Sequence, residues 1–146
     1  MPLIAVAQFA PGADSHANLA TITGLAERAA GRGATLVVLP EYSPYFTAEM
    51  GPDWVAAAEP VDGPFVTGLA ALSRRLGIHI VAGILETAEP NRISNTLVAL
   101  SPAGELVSVY RKLHLYDAFG QRESDWVVPG EIAAPVTFEW AGFTVG

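Results

Sequence analysis

The sequence predicts an α/β fold in which helices cover at least one face of a mixed β-sheet. Three observations lead to this prediction. Short, almost wholly apolar segments alternate with two segments of helical periodicity, which is typical of buried strands joined by crossover helices. Two later segments alternate between apolar and polar residues, as antiparallel hairpins do. The length of 146 residues suggests one domain, 1–146, large enough to bury its own core.

The first part of the chain is predicted to form strand, helix and strand in turn. Residues 3–9 read LIAVAQF, which is apolar enough for an interior strand buried on both faces. Residues 18–32 place leucine, isoleucine and alanine at helical spacing, and nearby glycines end the helix. Residues 35–41 read TLVVLPE and form a second buried strand, which ends at Pro40 because proline cannot donate to a strand ladder.

The second part begins with a loop, 42–60, that is rich in proline, glycine and aromatic residues. A helix is predicted at about 64–76, between a proline start signal and a glycine stop. A strand follows at 78–86, and the segment 95–112 is predicted to be a hairpin that turns at SPAG. The last segment, 136–146, reads as another hairpin that turns at Ala-Gly.

The composition narrows the class of partner. The net charge is -7 and the pI about 4.8, and the sequence holds only two adjacent pairs of cations, so nucleic acid and anionic membranes are poor partners. No signal-like or membrane-spanning stretch opens the chain, which predicts a cytoplasmic protein with a small-molecule partner. The absence of cysteine excludes disulfides and thiolate metal sites within this stretch.

Glu41 is the first candidate for chemistry. It ends the apolar run LVVLP, and in open α/β sheets ligands bind at the carboxyl ends of the strands. A carboxylate at this position suits a general base. The alternative is a solvated charge that simply follows a strand.

Lys112 is the second candidate, because it is the only lysine in a chain with seven arginines. An ammonium is a compact donor that can follow an oxygen as its geometry changes, whereas the guanidinium of arginine is a rigid fork. A chance feature of composition is the alternative. Glu123 lies further along, either in an exposed charge cluster with Arg122 and Asp125 or as a second carboxylate that keeps Lys112 charged.

Other kinds of site receive less support from the sequence. His114 and Asp117 could form a triad with Ser43 or Ser124, but no G-x-S-x-G elbow is present. The histidines are scattered singly, which disfavours a metal site, and no glycine-rich nucleotide motif is present. Five aromatic residues are candidates either for a pocket wall or for core packing: Phe46, Trp54, Phe65, Tyr116 and Phe119.

Four segments of the chain together resemble the nitrilase superfamily, also called the carbon-nitrogen hydrolases. They are AVAQF near the start, LVVLPE at 36–41, NTLVALSPAGEL at 95–106 and YRKLHLYD at 110–117. Their order and spacing match the family over essentially the whole chain. The combination of L-P-E with Y-R-K-x-H-L is the specific part of this resemblance.

The resemblance implies an αββα sandwich, in which mixed sheets are covered by helices, and a catalytic set of Glu, Lys and Cys with a second Glu near the Lys. Glu41 matches the general base, Lys112 matches the residue that stabilises the oxyanion, and Glu123 matches the second glutamate. The implied activity is hydrolysis of a non-peptide carbon-nitrogen bond in a small amide, ureido compound or nitrile. No cofactor or metal is implied, and relatives commonly form homodimers or higher homo-oligomers.

The chain departs from the family pattern at the nucleophile, because it ends before the position at which the family carries its cysteine. We interpret the absence of cysteine as truncation and expect a Cys shortly beyond Gly146 in the parent sequence. The 146-residue stretch alone is then predicted to be inactive. The alternative interpretation is a non-catalytic fragment, or a binding or dimerisation module, with the same fold.

Overall fold

The computed structural model describes residues 1–146, except for the side chain of Gln121. Its centre is a five-stranded sheet in the order β1-β2-β3-β4-β5. The strands are β1 (Ile4–Val6), β2 (Leu36–Val38), β3 (His79–Thr87), β4 (Ile93–Leu100) and β5 (Leu106–Arg111). β1, β2 and β3 are parallel, and β4 and β5 continue the sheet antiparallel. β2, β3 and β5 therefore run in one direction, so their carboxyl ends meet at one edge.

Two long helices cover one face of this sheet. They are α1 (Ser15–Gly31) and α3 (Pro64–Leu76). α1 begins three residues before the predicted start, because the side chain of Asp14 accepts hydrogen bonds from the backbone N–H groups of His16 and Ala17. α3 has the predicted bounds and ends at Gly77, which adopts a left-handed φ of 66°.

The core lies between these helices and the sheet. Buried apolar side chains from α1 and α3 interlock with alternate residues of β2, β3 and β4; the largest fully buried ones include Ile22, Leu69, Ile80 and Val98. Burying side chains of this size contributes roughly 1.5–3 kcal/mol each. This packing between helices and sheet fixes the positions of the strands and therefore of the loops that follow them.

The opposite face of the sheet carries a hairpin made of β8 (Phe138–Trp140) and β9 (Phe143–Val145). Ala141 and Gly142 have positive φ angles of 50° and 83°, so the chain turns where the sequence predicts. Trp140 packs on Leu36 and Val81 of the sheet.

The prediction that the first strand is interior is wrong for this chain. β1 is the edge of the sheet, and Ile4 is 47% and Val6 81% exposed. Ala5 and Ala7 pack against the helix-covered core, but the hairpin lies over β2 and β3 and leaves the other two side chains uncovered. The apolar run at 3–9 therefore predicted a strand correctly, but it predicted the burial of that strand incorrectly.

Short elements within the loops were not predicted. The loop after β2 contains α2 (Pro52–Ala57), and the loop after β5 contains a ribbon of β6 (Asp117–Ala118) and β7 (Gln121–Arg122) followed by a 3₁₀ turn, Glu123–Asp125. None of the helices in the described chain combines the length and apolar character that a membrane span requires.

Candidate active site

The backbone around Glu41 is held against β3. Gly83 donates its N–H to the carbonyl of Pro40 at 3.2 Å and accepts from the N–H of Ser43 at 2.9 Å. A Cβ on Gly83 would lie 2.7 Å from the Cα of Glu41, so only glycine allows this approach. Tyr42 has a left-handed φ of 54°, which turns the chain sharply and places two consecutive side chains at the site.

Lys112 stands at the end of β5. Its backbone N–H donates to the carbonyl of Asn95 at 2.9 Å, which extends the pairing of β4 and β5 by one residue. The ammonium then lies 3.2 Å from Oε1 of Glu41. These two predicted residues are separated by 71 positions in the chain and meet because β2 and β5 end at the same edge.

Glu123 approaches from the 3₁₀ turn. Its N–H donates to the carbonyl of Tyr116 at 3.1 Å, and its Oε2 accepts from the N–H of Tyr116 at 2.6 Å. Ser124 donates its hydroxyl to Asp117 at 2.6 Å, which ties the turn to the ribbon before it. The Oε2 atom of Glu123 is 3.1 Å from the ammonium of Lys112. The structure therefore brings together all three of the residues singled out from the sequence.

Two further polar residues belong to this cluster and were missed by sequence reasoning. Tyr42 donates its hydroxyl to Oε1 of Glu123 at 2.7 Å. The side-chain amide nitrogen of Asn95 lies 2.6 Å from Oε1 of Glu41, 2.8 Å from the hydroxyl of Tyr42 and 3.1 Å from Oε1 of Glu123. The sequence offered only an amide within the predicted hairpin segment NTLVAL; the structure shows that this amide is buried, where a polar side chain needs a partner.

The charges of the cluster stabilise one another. Burial disfavours the charged form of Lys112, but hydrogen bonds to Glu123 and Glu41 outweigh it and raise the pKa of the ammonium. Burial likewise opposes the charge on Glu123, but donors from Tyr116, Tyr42, Asn95 and Lys112 outweigh it and lower the pKa of the carboxyl. Burial and the anionic Glu123 raise the pKa of Tyr42, which therefore stays a neutral donor.

The two carboxylates differ in how many lone pairs remain free. Both oxygens of Glu123 accept hydrogen bonds, and its side chain is only 7% exposed. Glu41 is 56% exposed, and both of its hydrogen bonds in the described chain fall on Oε1. Glu41 thus presents an available oxygen, whereas Glu123 is a fixed anion.

A cavity of about 710 Å³ opens beside the cluster. Glu41, Tyr42, Lys112 and Glu123 form part of its wall. Of the five candidate aromatic residues, four line this cavity: Phe46, Trp54, Tyr116 and Phe119. Phe65 instead packs in the core beneath α3. The site is a polar cluster in the wall of a cavity that is lined by both aromatic and charged side chains, and such a concave surface with convergent polar groups is typical of small-molecule sites.

The alternative sites are not assembled. Ser124 bonds directly to Asp117 with no imidazole between them, and the buried hydroxyl of Ser43 donates to the carbonyl of Pro40 at 2.7 Å. His114 is exposed and takes part in neither contact. In the part of the chain that the structure describes, no group of three or more His, Asp or Glu side chains is arranged to hold a metal ion.

Curated proteins are similar to this chain in sequence. The hydrolase Rv0480c of Mycobacterium tuberculosis is 39% identical over 145 residues, which cover 98% of this chain and 50% of that protein. The deaminated glutathione amidase of Escherichia coli O157:H7 is 35% identical over 144 residues, covering 99% and 54%. The chain therefore spans about half the length of the curated relatives it matches.

A solved amidase has the same fold. The NitN amidase of Nesterenkonia sp. AN1 superposes with a TM-score of 0.80 at 27% identity, covering 97% of this chain and 54% of the amidase. Solved structures of its mutants include one in complex with butyramide, at a TM-score of 0.79. Another shows the result of Michael addition of acrylamide at the active-site cysteine of that amidase. This likeness confirms the expected nitrilase-like α/β fold.

The family model described as carbon-nitrogen hydrolase matches residues 3–144, which is nearly the whole chain. The match agrees with the resemblance carried by the strand-end motifs. The chain belongs to the carbon-nitrogen hydrolase family.

Proposed function

We propose that this site is the hydrolytic centre of an enzyme that cleaves the carbon-nitrogen bond of a small linear amide; ureido compounds and nitriles are the other substrate classes. The observation that carries the proposal is the 3.2 Å contact between Glu41 and Lys112 at the wall of a cavity. A base with an available oxygen next to a positive donor is the pair that acyl transfer needs. Relatives named as amidases, one solved with butyramide, support an amide as substrate.

In this proposal a cysteine beyond Gly146 supplies the nucleophile. Glu41 accepts the thiol proton, sulfur bonds to the carbonyl carbon, and the carbonyl electrons move onto oxygen, where Lys112 stabilises the negative charge. The tetrahedral intermediate then expels the amine, which takes the proton from Glu41 and leaves a thioester. A water molecule gives a proton to Glu41 and attacks the thioester, and the departing thiolate recovers that proton.

Glu123 has a different role in this scheme. Because its oxygens are occupied by donors, it holds Lys112 in place and keeps it charged rather than transferring protons. The acrylamide adduct at the active-site cysteine of the Nesterenkonia amidase is consistent with a thiol at the equivalent centre.

The proposal extends to the domain, the location and the assembly of the whole protein. Residues 1–146 form the N-terminal part of one catalytic domain, the protein acts in the cytoplasm, and it assembles as a homodimer or higher homo-oligomer. No cofactor takes part in the proposed steps.

The test uses the full-length polypeptide that contains this chain. Wild type is expected to hydrolyse short aliphatic amides and to form a mass-detectable adduct with a thiol-reactive amide analogue. Glu41→Gln should lower kcat/KM by at least a hundredfold, since the base is lost. The matched control is Glu105→Gln, which makes the same change at an exposed residue of the β4–β5 turn and should leave activity unchanged.

Absence of both hydrolysis and adduct in the folded full-length protein would favour the alternative, a non-catalytic binding or dimerisation module. Efficient turnover by residues 1–146 alone would contradict the requirement for a thiol, because this stretch contains no cysteine.

A further inference from the structure

We infer that Asn95 is a positioning residue for the base: it holds Oε1 of Glu41, so that Oε2 is the oxygen that takes the proton. The inference rests on the proposed hydrolytic function and adds a residue to it. Asn95 is the third residue of β4 and is 6% exposed, and it is not one of the three residues to which the family resemblance assigns a role.

Asn95 contacts every member of the cluster. Its backbone carbonyl accepts from the N–H of Lys112 at 2.9 Å. Its amide nitrogen reaches Oε1 of Glu41 at 2.6 Å and Oε1 of Glu123 at 3.1 Å. One residue of a central strand therefore links the ends of β2 and β5 with the 3₁₀ turn.

The donors and acceptors can be assigned consistently. The amide of Asn95 has two hydrogens. Tyr42 gives its own hydrogen to Glu123, so its oxygen is free to accept one hydrogen of Asn95 at 2.8 Å. The other hydrogen goes to Oε1 of Glu41, which is the shorter contact of the two remaining acceptors.

This assignment explains why a neutral amide suits the position. Oε1 of Glu41 receives both Asn95 and Lys112, and in the described chain neither of them reaches Oε2. An amide cannot give up a proton to the base at working pH, so it orients the carboxylate without protonating it. A carboxylate at position 95 would instead face Glu41, Glu123 and Tyr42 with only Lys112 as a positive partner.

Asn95→Asp in the full-length protein is the main test, because it keeps the shape and removes the donor. We expect kcat to fall roughly tenfold to a hundredfold with KM changed less than about threefold, since the residue acts through Glu41 and not on the substrate. The acidic limb of the kcat/KM profile should move to higher pH, because a lost donor and an added negative charge both disfavour the ionised base. Asn91→Asp, the same change in the exposed β3–β4 turn, should leave kcat and the profile as in wild type.

Asn95→Ser provides a neutral second variant in case Asn95→Asp does not fold. Its shorter side chain cannot reach Oε1 of Glu41, so kcat should again fall at nearly constant KM. A crystal structure of this variant should show the Glu41 carboxylate rotated away from its wild-type orientation.

The outcomes separate this inference from the proposed function. Wild-type kcat and pH profile in either folded variant, or an unmoved Glu41 carboxylate in the crystal structure, would overturn the role of Asn95. If the wild-type protein does not hydrolyse amides, the proposed function is wrong. The orientation of the Glu41 carboxylate in the Asn95→Ser structure would still decide whether Asn95 positions it.

Discussion

Arg111 and Lys112 are consecutive residues, yet their side chains make two different kinds of ion pair on opposite faces of the sheet. Arg111 faces the helix-covered side, where its Nε and Nη2 bind the two oxygens of Glu86 at 2.7 and 2.5 Å. Thr96 adds a hydrogen bond of 2.7 Å to the same carboxylate. Lys112 faces the cavity and contacts two carboxylates, those of Glu41 after β2 and of Glu123 in the 3₁₀ turn.

The two ion pairs differ because the guanidinium of arginine and the ammonium of lysine differ in shape. The fork of arginine satisfies one carboxylate completely, and the pair ties the end of β5 to β3. The single ammonium of Lys112 neutralises part of the charge on two carboxylates and still has room on its cavity side for a new oxygen. We therefore expect changes at Arg111 to reduce stability and changes at Lys112 to reduce activity.

Lys112→Arg and Lys112→Met should have the largest effect. Either change removes the compact donor, and the loss of one donor at an oxyanion lowers kcat by about 10²–10³. Steady-state hydrolysis by the full-length protein measures this. Retention of more than a tenth of wild-type kcat in Lys112→Arg would show that any cation suffices. Arg28→Met, at an exposed position of α1, is the matched control and should keep full activity.

Glu86→Gln should have the next largest effect, on stability. It leaves Arg111 without its anionic partner and weakens a buried network, which typically costs roughly 2 kcal/mol in the free energy of unfolding. Urea unfolding of the full-length protein measures the change. Its kcat per folded molecule should stay near wild type; a fall comparable to that of Lys112→Arg would mean that the two faces are not independent.

Glu123→Gln should lower the free energy of unfolding and should make that free energy less dependent on pH. The pKa of Glu123 lies below its ordinary value, so its ionised form stabilises the fold above pH 4.5, and that contribution is lost as pH falls through the lower folded-state pKa. The variant should lose about 1.5 kcal/mol at neutral pH and show a shallower decline in acid. Unfolding midpoints between pH 3 and pH 7 would test this, and an unchanged slope would contradict it.

Arg111→Lys should have the smallest effect. One ammonium replaces a two-pronged contact with Glu86, and the side chain at position 111 is half exposed although Glu86 is buried, so we expect a loss of roughly 0.5–1 kcal/mol and no change in kcat. The same urea experiment compares it directly with Glu86→Gln. A loss as large as that of Glu86→Gln would show that the fork itself, and not the charge, stabilises this end of β5.

Much of the fold was predictable because its signals are local. The hairpins, α3 and the order of the five sheet strands follow from alternation, helical spacing and turn residues that each involve only neighbours in the chain, although β1 and β2 are shorter than the predicted 3–9 and 35–41. The start of α1 was misplaced because its cap at Asp14 lies outside the apolar stripe. α2 was missed because a helix of six residues is too short to show a period.

The site was predictable only in part. Glu41 and Lys112 stand at strand ends, which a sequence can indicate, and the family resemblance added Glu123. Asn95 lies within a strand between two other polar residues, Ser94 and Thr96, and nothing in the sequence distinguishes it from them. The unusual φ of Tyr42 and the close approach of Gly83 to Glu41 depend on contacts between segments about 40 residues apart.

The sequence alone determined the fold class, the order of the main helices and strands and the family, since these are encoded in local periodicity and short motifs. Only the tertiary structure decided that β1 is an edge strand, that one carboxylate is saturated with donors while the other keeps an oxygen available, and that Asn95 joins them. The reason is physical: exposure and hydrogen-bond partnership are properties of atoms from distant segments brought together, and no single segment carries them.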